Sequence, residues 1–413
     1  MTTPNKLAGL NWDALYSDTA NVLKPSATRE LYKLAMGTDI ISLAGGLPAG
    51  ECFPVVELEA ASARVLQKYP YHSLQYANTQ GEAVFLKFLS EEMHRLGVNA
   101  PPEQIQVSSS SMQALDLLCK LFINPGDGLG VEDPTYSGAL MGFRPYRPNF
   151  VNIPTDEDGL IVEALEAKLK AGEKIRFLYM MSCFQNPMGT TLAPERQTRL
   201  LELAEQYGLL IIEDDPYGEL VYEGERPKPL AAVDVERNGE LTHVIYVGTF
   251  SKTIAPGLRM GWIAAPKEVI GKIVLAKQAM DLHSPPFNQY LIHETCKDGF
   301  LAQQITRIRE INRVRRDAML DALDEFMPDC AHWTKPKGGM FVWVTLPEYM
   351  NDYELLKKAV AQKVTFVPGS SYYAYQDVHN AIRLSFTQPT PEEIVEAIRR
   401  LGNAVKEMEL VRA

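Results

Sequence analysis

Through the middle of the chain, short apolar runs alternate with longer segments whose apolar residues recur every three or four positions. The short runs read as buried strands and the 3.6-residue spacing as helices that cover one face. Strands are predicted at 104–108, 128–132, 150–153, 175–181, 209–213, 244–248 and 260–264. Between two of them, 194–207 carries Leu200, Leu201, Leu203 and Ala204 at helical spacing, with Pro194 at its start and Gly208 just past its end. This completes one β-α-β unit, and the alternation as a whole predicts an α/β domain with a mainly parallel sheet. From about residue 295 the rhythm changes to a long helix over 300–326, a strand pair and a last helix over 391–408, the pattern of a smaller α+β domain. A short helix over 27–36 and the loop Ala44-Gly45-Gly46-Leu47-Pro48 make the first fifty residues too small to fold alone, so three parts are expected: 1–50 joined to a larger body, 51–295 and 296–413.

A chain of 413 residues has room for two domains. Hydrophobic residues make up 46% and charged residues 23%, the balance of a soluble globular protein. The net charge of -11, with positive residues scattered among acids, argues against nucleic-acid binding. The arginines between 307 and 316 then read as the solvated face of the long helix, and any anionic substrate has to be met by a few local arginines. Cys52, Cys119, Cys183, Cys296 and Cys330 are widely separated, as free thiols of a reducing compartment would be, which makes the cytoplasm the expected location. The seven histidines show no metal-ligand spacing, and no metal is expected. Neither a leader after Met1 nor a run of 18 apolar residues is evident, so no membrane span is expected.

In open parallel sheets, ligands bind outside the carboxyl ends of the strands, so the residues just past each strand carry the candidate chemistry. After 244–248 come Thr249, Phe250, Ser251 and Lys252, with Arg259 seven residues on. A lysine at the end of a buried strand is partly desolvated, which lowers its pKa from about 10.4 and frees the amine to attack a carbonyl. Thr249, Ser251 and Arg259 offer two hydroxyls and a planar fork of donors, the groups that hold a phosphate. Together they suit a phosphorylated aldehyde bound as a Schiff base, with pyridoxal phosphate the obvious case; a solvated loop lysine is the plain alternative. After 209–213, Asp214 can pair with a protonated pyridine nitrogen and Tyr217 can donate to a ring hydroxyl, although turn aspartates look alike in isolation. Asn186 before Pro187 is held extended, with its amide available to a ring oxygen. Ser109-Ser110-Ser111-Met112-Gln113 opens a helix, whose free N–H groups and hydroxyls make either a phosphate site or a serine cap. Tyr136 offers a ring to stack on a cofactor or to fill a core. Each signal is weak singly; their recurrence at successive strand ends favours cofactor chemistry.

In this order the residues resemble fold type I pyridoxal-phosphate enzymes of the class I/II aminotransferase family, from Ala27 to about Arg400. The most specific matches are Ser251-Lys252 with Arg259, Asp214 with Tyr217, Asn186-Pro187 with Gly189, and Ala381-Ile382-Arg383-Leu384-Ser385-Phe386. The resemblance implies pyridoxal 5'-phosphate as cofactor, Lys252 as Schiff-base lysine and proton shuttle, Asp214 on the pyridine nitrogen, Asn186 and Tyr217 on the ring oxygen, and Tyr136 stacked on the ring. It implies phosphate contacts from Ser111, the Met112 backbone, Thr249, Ser251 and Arg259, with Tyr76 reaching in from the other subunit of a homodimer. Arg383 matches the arginine that clamps the substrate α-carboxylate, with Gly45, Tyr136 and Asn186 also at the substrate. Ser26-Ala27-Thr28-Arg29-Glu30, the Leu43 to Pro48 loop and Leu74-Gln75-Tyr76 are similar to the 2-aminoadipate and kynurenine aminotransferase subgroup. There a mobile amino-terminal helix covers the site, and Arg29 matches a residue that meets the distal part of a substrate. Two departures stand out: Ser110-Ser111-Met112 replaces the more common Gly-Ser-Gln, which leaves backbone donation at the third position, and Met181-Ser182-Cys183-Phe184 replaces a Pro-containing approach to Gln185-Asn186.

The implied reaction is a ping-pong transfer of an amino group from an acidic, aromatic or large aliphatic L-amino acid to a 2-oxo acid, with 2-oxoglutarate the expected acceptor. A β-lyase or a decarboxylase is the nearest rival, since the cofactor stabilises any carbanion and the protein selects the bond that breaks. A ligand sensor built on the same body would carry a basic DNA-binding domain ahead of Ser26, where about 25 residues stand.

Overall fold

The computed structural model describes residues 10–25, 30–31 and 39–410. An eight-stranded sheet runs in the order Ile105–Ser108, Gly261–Ala264, Val244–Thr249, Leu210–Asp215, Ile175–Met180, Gly128–Asp133, Asn149–Asp156, Gly159–Leu160. From Val244–Thr249 to Asn149–Asp156 the neighbours pair parallel, while Gly261–Ala264 is antiparallel to both of its neighbours and Gly159–Leu160 closes one edge antiparallel. Parallel pairing requires crossovers, and Pro194–Tyr207 supplies one, ending where Gly208 takes the left-handed conformation at φ 63°.

The sheet is buried on both faces, so its strands read as continuous apolar runs, and their side chains alternate between two cores. Along Leu210–Asp215, Ile211 joins Leu178, Val244 and Trp262 on one side, whereas Ile212 joins Phe177, Tyr179 and Ile245 on the other. The same alternation divides the three acids that end this strand. Glu213, on the Ile211 side, accepts the N–H groups of Leu230 and Ala231 at 2.7 and 2.8 Å and so caps helix Leu230–Asn238. Asp215 on that side pairs with Arg226 at 2.7 Å and accepts from Tyr246 Oη at 3.1 Å. Asp214 is turned to the Tyr179 side.

A second unit is built on an antiparallel sheet in the order His332–Trp333, Phe341–Thr345, Ala381–Ser385, Val367–Pro368. Helix Phe300–Phe326 spans both bodies, with Leu301 and Ile305 in a core of the large sheet and Met319 and Leu323 in that of the small one. Ile41–Ser42 pairs parallel with Val364–Thr365, which ties the chain just before the Leu43 to Pro48 loop to the small unit.

The strand pair expected in the second unit is four strands, because two-residue strands carry no readable alternation. The expected solvated arginine face is corrected in part. Arg315 and Arg316 are buried, Arg315 donating to Thr387 O at 3.2 Å and pairing with Glu51, and Arg316 donating to Pro336 O at 2.8 Å. Arg29 lies outside the described residues, as does the helix expected over 27–36 apart from Glu30 and Leu31, which are helical. Among the described residues no helix is long and apolar enough to cross a membrane, and no cluster of His, Cys, Asp or Glu is placed to hold a metal.

Gly261 shows how closely the sheet approaches the turn before helix Ser111–Phe122. A Cβ there would stand 2.8 Å from Gly248 O and 2.9 Å from Ser110 C, both backbone atoms that cannot swing aside. Gly261→Ala is expected to lower the unfolding free energy by about 1–3 kcal/mol, read as a lower urea midpoint. An unchanged midpoint would show that the turn yields freely.

Candidate active site

The carboxyl ends of Ile105–Ser108, Gly128–Asp133, Ile175–Met180, Leu210–Asp215 and Val244–Thr249 share one edge of the sheet, and the candidate residues gather there. Asp214 is 1% exposed. Its Oδ2 accepts from Tyr179 Oη at 3.0 Å, and its Oδ1 has no hydrogen-bond partner among the described residues. Burial pushes its carboxyl up to about 7, only partly offset by the Tyr179 bond. A carboxylate so placed stabilises an adjacent cationic N–H, which returns to it the partner that burial has taken away.

Lys252 follows the buried strand Val244–Thr249, and its Nζ donates to Gly46 O at 2.8 Å. Burial, with the positive charges of Arg383 and Arg259 adding to it, lowers its ammonium to about 8. Near neutral pH about a tenth is therefore a free amine able to attack a carbonyl, far more than for an ordinary lysine. Thr249 Oγ1 lies 2.9 Å from Ser251 Oγ and accepts the Ser251 N–H at 3.2 Å, which sets both hydroxyls beside the lysine. Arg259 is exposed, in the left-handed conformation at φ 52°, with Nη1 donating to Pro256 O at 3.0 Å.

Arg383 comes from the middle of the small unit's sheet, opposite Trp343, and is 2% exposed. Its Nη1 donates to Asn186 Oδ1 at 3.1 Å, and its Nη2 to Ala44 O at 2.6 Å. Asn186 Nδ2 in turn lies 3.5 Å from Tyr217 Oη, so a polar chain runs from the small unit to the end of Leu210–Asp215. The guanidinium packs 4.0 Å from the centre of the Phe341 ring and 5.2 Å from that of Tyr372, while its Nε has no hydrogen-bond partner among the described residues. A planar cation held between rings, with donors to spare, suits a carboxylate.

Helix Ser111–Phe122 begins without a side-chain cap, so the first-turn N–H groups of Ser111 and Met112 have no intrahelical acceptor. Tyr136 is half-buried, acts on the ionisation of both Tyr179 and Tyr217, and covers Gly138, where a Cβ would overlap its ring. Gly45 sits in the loop that meets both Arg383 and Lys252, and a Cβ on it would stand 3.3 Å from Gln388 Oε1. Tyr76 is not brought to the cluster; it is 79% exposed and its ring meets His283 edge-on at 5.8 Å. The approach to Asn186 is absorbed by packing, with the Ser182 hydroxyl donating to Glu213 and Cys183 buried.

Three residues escaped the sequence reading. Tyr179 sits inside a strand that reads as core, and its phenol in an otherwise apolar run was the only signal. Phe341 and Tyr372 lie on other elements than Arg383, and nothing in the sequence announces that their rings enclose it.

The model of the class I and II aminotransferase family matches residues 38–401. Aromatic-amino-acid aminotransferase 1 of Thermococcus litoralis is 47% identical over 96% of this chain and 95% of its own length. The kynurenine aminotransferase of Pyrococcus horikoshii, solved in complex with PMP, superposes with a TM-score of 0.92 at 42% identity, covering 96% of this chain and 98% of that one. An α-aminoadipate aminotransferase of Thermus thermophilus, solved with N-(5'-phosphopyridoxyl)-L-leucine, gives a TM-score of 0.91 at 39% identity, covering 97% of this chain and 100% of that one. Sharing sequence and fold with these proteins, the chain belongs to the class I and II aminotransferases and is a pyridoxal-phosphate-dependent aminotransferase of fold type I.

Proposed function

We propose that the catalytic centre is Lys252, Asp214, Asn186 and Tyr217, and that it moves the amino group of an acidic, aromatic or large aliphatic L-amino acid to 2-oxoglutarate. The observation that carries this reading is Asp214, whose buried, unpartnered Oδ1 fits the ring N–H of pyridoxal phosphate. When bound, that cofactor supplies a carbonyl for the amine and a cationic ring that draws electrons from the substrate Cα. Asp214 would hold the proton on the ring nitrogen, Asn186 and Tyr217 would donate to the ring oxygen, and Tyr136 would cover the ring. Ser111, the Met112 N–H, Thr249, Ser251 and Arg259 take the phosphate.

Lys252 is the group that moves protons. Its ammonium is lowered to about 8, and its free amine would take the proton from the substrate Cα and return it at the neighbouring atom. Arg383 fixes the α-carboxylate and so orients the Cα–H bond, with Gly45 and Asn186 beside it and Arg29 our candidate for the distal group. The donor range follows the relatives, named for aromatic amino acids, kynurenine and α-aminoadipate, one of them holding a leucine adduct. Conversion of donor and 2-oxoglutarate to 2-oxo acid and glutamate tests it; release of pyruvate or carbon dioxide instead favours the β-lyase or decarboxylase.

We assign a homodimer with shared sites. Val55, Val56, Leu66, Tyr71, Leu74 and Tyr76 are exposed within one stretch of chain, an apolar surface suited to a second copy, and Tyr76 would serve the partner's phosphate. Five free thiols support a reducing compartment, and we place the protein in the cytoplasm.

Three outcomes check these roles. Acetylation of Lys252 in the apoprotein, followed by mass spectrometry across pH, is expected to show a midpoint near 8, which Arg259→Gln shifts upward because a positive neighbour is removed. A midpoint at the ordinary lysine value of about 10.4 would sink the activated amine. Arg383→Lys is expected to lower kcat/KM for amino acids by about 2–4 kcal/mol, roughly 30- to 1000-fold, as a forked pair is lost. Mixing Lys252→Ala and Tyr76→Ala subunits, each poorly active alone, is expected to restore about a quarter of the sites, since half of the dimers become mixed and each mixed dimer holds one intact site; no recovery would place Tyr76 in its own subunit's site or outside any site.

A further inference from the structure

Next to the turn that opens helix Ser111–Phe122 lies a buried lysine that the reaction does not use. Lys277, on helix Lys267–Met280, has a side chain with 0% exposure. Its Nζ donates to both oxygens of Asp281 at 2.9 Å and to Gln113 Oε1 at 2.8 Å. The same Gln113 Oε1 accepts the Ser109 N–H at 2.7 Å, and Gln113 Nε2 donates to Asp281 Oδ2 at 2.6 Å. Ser109 Oγ meets the buried Ser284 Oγ at 3.2 Å, and Ser108 Oγ donates to Ser110 O at 3.0 Å.

These bonds enclose a strained residue. Ser110 has φ 82° and ψ 167°, a conformation that essentially only glycine adopts without strain. Strain of this kind persists only where the surroundings over-determine the backbone. Here the surroundings are the Ser109 N–H fixed by Gln113, the Ser110 carbonyl fixed by Ser108, and the Gly261 backbone pressed against the Ser110–Ser111 peptide.

We propose that Lys277 is a positioning residue for the cofactor: through Gln113 and Asp281 it holds the Ser109–Ser110 turn so that the N–H groups of Ser111 and Met112 converge on the phosphate. The proposal rests on the placement of the phosphate given above. One ammonium N–H fixes the Gln113 oxygen, and the bonds to both Asp281 oxygens balance the buried charge. Without the ammonium, Gln113 keeps its Nε2 bond to Asp281, itself no longer anchored by Lys277, so Ser109 loses a fixed acceptor and Ser110 can relax toward negative φ, which rotates the peptide plane that aims the Ser111 N–H. The contact matters more here because Met112 offers the phosphate only its backbone.

Lys277→Met, and Lys277→Met with Ser110→Gly, are titrated as full-length apoprotein with pyridoxal phosphate and with pyridoxal, and the melting temperature of each apoprotein is recorded. The expected result is a loss of at least about tenfold in affinity for pyridoxal phosphate with pyridoxal changed less than about twofold, and recovery of most of that loss by Ser110→Gly, since glycine adopts the turn unaided. Equal weakening of both ligands, no weakening, or no recovery by Ser110→Gly overturns the proposal. Should Lys277→Met fail to fold, Gln113→Met is titrated with the same two ligands and judged by the same criteria. Wild-type protein that binds pyridoxal as tightly as pyridoxal phosphate overturns the placement of the phosphate itself, a result separable from any effect at Lys277.

Discussion

Asp214 stands in the interior with one oxygen bonded to Tyr179 and the other unpartnered, its carboxyl raised by burial to about 7. Placing a carboxylate there costs stability that a surface site would not, and the cost is recovered when a cation with an N–H comes to rest against it. The rest of the site follows from that constraint. Strand alternation sends Glu213 and Asp215 to the opposite face, where a helix cap and an arginine satisfy them, so that Asp214 alone faces the ligand side. Three adjacent acids thus have separate duties, set by the period of the strand.

The cationic side is arranged by the same logic. Burial, then Arg383 and Arg259, lower the Lys252 ammonium to about 8, so the residue proposed to attack a carbonyl has a free-amine fraction within reach of physiological pH. Arg383 reaches the cluster only because the small unit packs against the large one, and its bonds to Asn186 and Ala44 join both units and the Leu43 to Pro48 loop. In the proposed reading, substrate binding and chemistry are therefore coupled through one side chain. A shift of the small unit would change the Arg383 position and the Lys252 amine together.

Much of this could be read from the chain. Seven of the eight strands of the large sheet fell within a few residues of their predicted places, while the two-residue strand Gly159–Leu160 was not foreseen, and Pro194–Tyr207 matched at both ends because Pro194 and Gly208 mark them. Asp214, Asn186 and Lys252 were picked out as candidates because they stand at or just past the carboxyl ends of such strands. The rest depends on long-range packing. Arg315 and Arg316 looked like a solvated face because a helical period shows which residues align, not what covers them; Glu51 and the carbonyls of Thr387 and Pro336 do. Tyr179 and Phe341 were missed for the same reason, as aromatic residues in strands look like core until the side chain they touch is known, and Tyr372 because it ends a Gly-Ser-Ser turn that carries no sign of its partner.

The central claim is that the Asp214 carboxylate keeps the cofactor ring nitrogen protonated. The most direct measurement is the nitrogen-15 NMR shift of holoprotein loaded with ring-labelled pyridoxal phosphate, followed across the neutral pH range in wild type and in Asp214→Asn. A protonated nitrogen throughout in the wild type and an unprotonated one in the variant is the predicted result. An unprotonated nitrogen in the wild type, or the same shift in both proteins, would contradict the account.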